Sequence, residues 1–223
     1  MNGQNTRIRA DDGFESTAYV SRPGTAARAG LVILPEIFGV NAHIRTVADR
    51  YAALGYLAVA PSVFDRVHRD LDLGYDDESV RRGQALMREI DWTLAVMDIE
   101  AAGRLASEAG PVGVVGYCWG GTAAWVTAAR GQGFTCAVSY YGNAIPSVLS
   151  PIPRIPMMLH WGERDHLISM ERMREPGLAA PDVEVHFYAT GHGFNCDARP
   201  LYHAPSAQWA LARTLTFLER SGL

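Results

Sequence analysis

Six short runs of unbroken apolarity recur along the chain, and segments of helical period lie between and after them. The runs Leu31–Leu34, Leu57–Ala60, Val112–Val115, Cys136–Tyr140, Met157–His160 and Val183–Tyr188 are rich in branched residues and read as strands. Because their apolarity is continuous rather than alternating, these strands should be buried on both faces. Helical period covers Ala42–Leu54, Ser79–Ser107, Thr122–Ala129, Met170–Leu178 and Pro205–Leu218. A chain in which strands and helices alternate in this way is expected to form a mostly parallel sheet with helices on both faces. Thr6–Arg9 and Ser16–Val20 flank the turn-prone Asp11-Asp12-Gly13, which predicts an antiparallel hairpin at one edge. These units use nearly the whole chain, so residues 1–223 are expected to form a single domain without a separate lid and with a fairly open site. Pro146–Pro156 reads as a loop, and Arg66–Glu78, with its mixed charges, as a solvated surface loop.

Several classes of function are disfavoured by composition. Among 223 residues, 20 basic against 24 acidic side chains give a formal charge of −4, which provides no cationic footprint for nucleic acid or an anionic membrane. No apolar run reaches membrane-spanning length, and the N-terminus lacks the apolar core of a secretory signal. Cys118, Cys136 and Cys196 form no CxxC spacing, so neither a disulfide framework nor a metal site is expected. The expected setting is cytoplasmic.

The segment richest in chemistry is Pro111-Val-Gly-Val-Val-Gly116-Tyr-Cys118-Trp-Gly120-Gly-Thr, a buried strand running through Gly-x-Cys-x-Gly into a helix. This is the nucleophile-elbow pattern of α/β-hydrolases with cysteine in the serine position. The close backbone approach in such a turn leaves little or no room for side chains at Gly116 and Gly120. Cys118 would stand at a strand's carboxyl end and a helix N-terminus, where the helix dipole favours a thiolate.

The order of the remaining candidates fits the same architecture, in which an acid and then a histidine follow the nucleophile on loops after later strands. Asp165 follows the run ending at His160, with Glu163 as a rival, and His192 follows the run ending at Tyr188. His192 would exchange protons with the thiol and the leaving group, while Asp165 fixes its tautomer. His160 and His186 fall within strands and read as core histidines; His166 and His203 read as surface residues. Earlier in the chain, Pro35-Glu36-Ile37-Phe38-Gly39 ends another strand. The backbone N–H groups of Ile37 and Trp119 are the candidate oxyanion donors, and Glu36 would point into the site.

Together, Pro35-Glu36-Ile37-Phe38-Gly39, Gly116-Tyr-Cys118-Trp-Gly-Gly121, Gly162-Glu-Arg-Asp165 and Gly191-His192-Gly-Phe194 resemble the dienelactone hydrolase (carboxymethylenebutenolidase-like) family over about Ile8–Leu218. The resemblance implies the α/β-hydrolase fold, Cys118 as nucleophile, His192 as base, Asp165 as its orienter, and a cycle through an acyl-cysteine with no metal or cofactor. It implies that Glu36 holds the resting thiol and helps to generate the thiolate once substrate displaces it. Where the family carries an arginine for the lactone's carboxylate, four residues after the histidine, this chain has Cys196. Arg81 or Arg82 would fill a second arginine position.

Phe38, Tyr141 and Phe194, with Trp119, would line an aromatic pocket. The expected activity is hydrolysis of a small lactone or activated ester by a monomer or weak homodimer. The alternative is a non-hydrolytic protein that senses electrophiles or binds ligands through the same thiol.

Overall fold

A computed structural model describes residues 3–223 of the chain. Eight strands form one sheet: β1 (Gln4–Arg9), β2 (Glu15–Ser21), β3 (Ala29–Leu34), β4 (Tyr56–Pro61), β5 (Val112–Tyr117), β6 (Cys136–Tyr140), β7 (Met157–Gly162) and β8 (Glu184–Tyr188), in the spatial order β1-β2-β4-β3-β5-β6-β7-β8. From β4 across to β8 every pair is parallel. The β1–β2 hairpin is antiparallel and joins β4 antiparallel, as the turn at Asp11–Gly13 predicts. Every residue of β3 to β7 is buried, and alternate side chains serve two cores.

Val32, Leu34, Val114 and Leu159 face one layer, which holds Ile99 of α3 (Trp92–Ala106), Trp125 of α4 (Trp119–Arg130) and Met173 of α5 (Met170–Ala179). Leu31, Ile33, Val115 and Met158 face the other, with Ile44 and Tyr51 of α1 (Ala42–Ala53) and Phe217 of α6 (Ala204–Arg220). This double-sided burial accounts for the unbroken apolarity of β3 to β7, whereas β8, expected to be buried on both faces too, is the edge strand and only partly buried.

Several expectations are corrected. The long helix read from Ser79 to Ser107 is two helices, α2 (Asp77–Met87) and α3. The Asp91 carboxylate accepts the amides of Thr93 and Leu94 at 2.7 and 3.1 Å, so it caps α3 in the middle of an otherwise continuous apolar period.

Arg66–Glu78 is largely exposed, as expected of a surface loop, but it is pinned to the core at three points. Arg66 donates twice to the buried Asp98 carboxylate at 2.8 Å and also to Asp12, Leu71 is buried, and the Leu73 amide donates to the Phe38 carbonyl at 2.9 Å. The segment is a strap fastened over the end of β3. α4 also begins earlier than Thr122, directly after Cys118, which puts the helix N-terminus at the thiol.

Candidate active site

Cys118 lies between the last residue of β5 and the first of α4 with φ +53° and ψ −114°, a conformation that costs a non-glycine residue roughly 1–3 kcal/mol. Neighbouring strands hold it there. Its amide donates to the Tyr140 carbonyl at the end of β6 (2.9 Å), and the Gly120 amide donates to the Pro35 carbonyl beyond β3 (3.0 Å). A Cβ on Gly120 would meet the carbonyl oxygens of Leu34 and Pro35, the latter at 2.6 Å, and one on Gly116 would run into the Gly120 backbone. Both glycines are therefore required by contact.

The structure brings Cys118, Asp165 and His192 together from three loops at the carboxyl ends of β5, β7 and β8. His192 Nε2 is 3.1 Å from Cys118 Sγ, and Nδ1–H donates to Asp165 Oδ2 at 2.7 Å. Asp165 is held in turn, since its Oδ1 accepts the Leu167 amide at 2.8 Å. Glu163 is exposed and makes no contact with the ring. Burial alone would lower the His192 pKa, but a negative charge on Cys118 and the Asp165 hydrogen bond outweigh it and push it up to about 10. The contacts at Nδ1 and Nε2 therefore favour the imidazolium form of His192.

Among the described residues, the backbone amides of Ile37 and Trp119 donate to no protein acceptor. Ile37 follows β3 and Trp119 is the first residue of α4, so two unpaired donors stand at the two loops that flank the thiol.

Glu36 is 1% exposed, and neither carboxylate oxygen has a hydrogen-bond partner. Its nearest cation is Arg199, with Nη1 3.5 Å from Oε1. The thiol's partner is His192, not Glu36. The Arg199 guanidinium lies 5.7 Å from the ring centres of both Phe38 and Tyr75. The Tyr75 hydroxyl accepts from Asn41 Nδ2 at 3.2 Å and lies 3.3 Å from Cys196 Sγ. Burial, reinforced by the Glu36 charge, keeps the Tyr75 hydroxyl protonated and pushes the Cys196 thiol up to about 12. Cys118 itself is only 8% exposed, so the site is tighter than the expected open cleft.

The substrate-binding candidates separate. Tyr141 stands edge-on to the His192 ring at 5.1 Å with its buried hydroxyl unpartnered, and Phe38 packs edge-on against Tyr75 at 4.7 Å. Phe194 is fully buried among Tyr140, Tyr141 and Tyr188 and belongs to the core. Trp119 stacks on Trp92 at 5.5 Å.

Arg81 and Arg82 are exposed; Arg82 turns to His68, and neither forms an ion pair with Glu36. The cation at the site is Arg199, and the aromatic hydroxyl beside it is Tyr75; the sequence reading missed both. Each had a faint signal: Arg199 is the sole arginine of the loop after His192, three residues past Cys196, and Tyr75 is the sole Phe, Tyr or Trp in the charged segment. Of the remaining histidines, His160 is a satisfied core residue, within 2.9 Å of Tyr188 Oη and 3.0 Å of Thr214 Oγ1. His186 is only partly buried, at the outer strand.

The model of the dienelactone hydrolase family matches residues 16–222. A carboxymethylenebutenolidase of Pseudomonas putida is 36% identical over 222 residues, covering 95% of this chain and 94% of its own. Another, carboxymethylenebutenolidase 1 of Cupriavidus pinatubonensis, is 32% identical over 228 residues, covering 98% and 97%. Among solved structures, a putative dienelactone hydrolase from Klebsiella pneumoniae superposes with a TM-score of 0.82 at 25% identity, covering 96% of this chain and 98% of that one. The sheet order and the placement of the loops are those of an α/β-hydrolase.

Proposed function

The chain belongs to the dienelactone hydrolase family, and from that membership we propose that it hydrolyses a small lactone or activated ester through an acyl intermediate on Cys118. The observation that carries the reading is the Cys118–His192–Asp165 alignment, at 3.1 and 2.7 Å, on a strained elbow.

In this reading the Cys118 thiolate attacks the substrate carbonyl carbon, and the carbonyl π electrons move onto oxygen. Ile37 and Trp119 N–H groups stabilise that oxyanion. Collapse of the tetrahedral adduct breaks the carbon–oxygen bond, and the leaving oxygen takes the Nε2 proton of His192. Neutral His192 then takes a proton from water, whose oxygen attacks the thioester. Collapse of the second adduct releases the acid and restores the thiolate–imidazolium pair. Asp165 keeps Nδ1 protonated throughout and so fixes the nitrogen that faces the reacting atoms.

Glu36 and Arg199 bear on substrate choice. A substrate carboxylate placed against the Arg199 guanidinium would exchange one anion for another, taking the place that Glu36 holds at rest. A carboxylate-bearing lactone or ester is therefore the preferred substrate class, with Phe38 and Tyr75 beside the same cation.

The test is a panel of lactones and p-nitrophenyl esters with and without a free carboxylate. Wild type should turn over the carboxylate-bearing members best, and Cys118→Ala should fall to background. Arg199→Met should raise KM roughly tenfold for the carboxylate-bearing members alone, the scale of one charge-assisted hydrogen bond. Full turnover by Cys118→Ala would refute the proposal. Stoichiometric labelling by iodoacetamide without turnover of any substrate would instead identify a non-hydrolytic thiol protein.

A further inference from the structure

The sheet ends at two free edges, β1 and β8. β1 carries Arg7 and Arg9, charges of the kind that keep an edge strand from pairing with another chain. β8, Glu184-Val-His-Phe-Tyr188, has no arginine and is only partly buried. The Tyr188 carbonyl accepts the Glu163 amide just beyond β7, so Tyr188, His186 and Glu184 turn their backbone groups toward β7. By alternation Val185 and Phe187 turn theirs outward, where they have no partner among the described residues.

The helices that flank this edge are unfinished in the same way. Leu178 of α5 is 80% exposed and Trp209 of α6 64%, the highest values of any large apolar side chain among the described residues. Gly177 of α5 lies against Val185, on one face of the strand. On the other face Trp209 borders a hollow of about 280 Å³ together with Glu184, His186 and Arg213. Glu184 pairs with Arg220, whereas Arg213 lies over the Tyr188 ring at 5.2 Å and, among the described residues, has no carboxylate partner.

We infer that β8 is the surface through which a second copy of this chain binds, the two strands pairing antiparallel about a two-fold axis at His186. That axis sets Val185 opposite Phe187 of the second copy and Phe187 opposite its Val185, so both outward-facing residues exchange main-chain hydrogen bonds. The side chains suit this register. A β-branched residue meets an aromatic one twice across the strands, and Glu184 falls opposite Tyr188 of the second copy, beside the Arg213 that lacks an anion. His186 meets its own copy; burial and then the charge of Arg213 lower its pKa, so two neutral rings face each other at pH 7. Two strands of five residues alone bury less than the roughly 1,200 Å² of a stable interface. Leu178 on one face and Trp209 on the other supply further apolar area. Such a pair uses up the free edge on both copies and closes as a dimer.

The inference does not depend on the proposed hydrolysis, and association alone tests it. In sedimentation velocity of the full chain from roughly 1 to 200 µM, wild type should show a monomer–dimer equilibrium with a Kd in the micromolar range. The double variant Leu178→Glu/Trp209→Glu changes only exposed side chains, so its circular dichroism should match wild type while its Kd rises at least tenfold. The register is read by cross-linking under mild oxidation. Residues that face each other in a non-hydrogen-bonded pair have Cα atoms about 4.5 Å apart, within disulfide reach, so His186→Cys should form a covalent dimer. Glu184→Cys, whose copy lies four positions further along the strand, should not, nor should wild type, whose three cysteines are buried. The inference is overturned if wild type stays monomeric throughout, if it forms species larger than a dimer, if the double variant associates as wild type does, or if Glu184→Cys cross-links as readily as His186→Cys.

Discussion

Removing the sulfur of Cys118 should change the charge of a residue in another loop. His192 Nε2 lies 3.1 Å from Sγ. Two unit charges at that separation, with an effective dielectric constant of about 20, attract by about 5 kcal/mol, equivalent to roughly four pKa units. Burial works against the imidazolium, and the thiolate and Asp165 work for it. In Cys118→Ala the burial and the Asp165 hydrogen bond remain, so the His192 pKa should fall from about 10 to roughly 6. The sign also fixes the linkage to stability. A raised histidine pKa contributes stability in full below the unfolded value of about 6.5, and that contribution is lost as pH rises through about 10 in the wild type. The assay is a pH titration of imidazole nitrogen shifts by long-range proton–nitrogen NMR, with His192→Gln assigning the signal among seven histidines. Wild type should keep a doubly protonated ring through pH 8, whereas Cys118→Ala should titrate near neutrality. Superimposable titrations of the two proteins, or a neutral wild-type ring at pH 7, would refute the raised His192 pKa.

Three further outcomes are expected. Gly120→Ala forces a methyl group onto two backbone carbonyls and should destabilise by about 3 kcal/mol or more, measured by urea denaturation. Arg66→Met leaves the Asp98 carboxylate, 1% exposed, without its cation and should cost about 3 kcal/mol; adding Asp98→Leu should recover most of it in the same measurement. Asp165→Asn keeps the shape of the site but loses the fixed tautomer, so kcat on an activated ester should fall by roughly 10³–10⁴ with KM little changed. A fall of less than tenfold would remove Asp165 from the mechanism.

The parts of this molecule that can be read from the sequence are those fixed by near neighbours. Continuous apolarity marked β3 to β7 because burial on two faces leaves no position for a polar side chain. The elbow could be read because Gly116, Cys118 and Gly120 sit within one turn, and the order of Asp165 and His192 because each ends a recognisable strand. A near-neighbour effect was also missed: the break at Asp91 is a local cap, but the apolar period runs straight through it. The anchoring of Arg66–Glu78 was missed for the opposite reason: most of its charged residues are solvated as read, but Arg66 is not. Arg66 finds Asp98, thirty-two residues away, and a paired charge can be buried where an unpaired one cannot.

The placement of Arg199 shows why substrate contacts are harder to read than reacting groups. Cys118 is held from three directions at once, through hydrogen bonds to Tyr140, through Gly120 to Pro35, and through the start of α4. That over-determination is what allows a strained φ to persist, and it admits few residue types on either side, so it leaves a mark on the sequence. Arg199 reaches Glu36 from a loop 163 residues further on. A long, flexible side chain can bring a guanidinium to one point from several backbone positions. Cys196 can therefore stand where an arginine was expected while a cation still faces the buried carboxylate. The rigid backbone fixes where bonds would be made and broken, and side chains of longer reach around it are free to shift position and with it the anion they would hold.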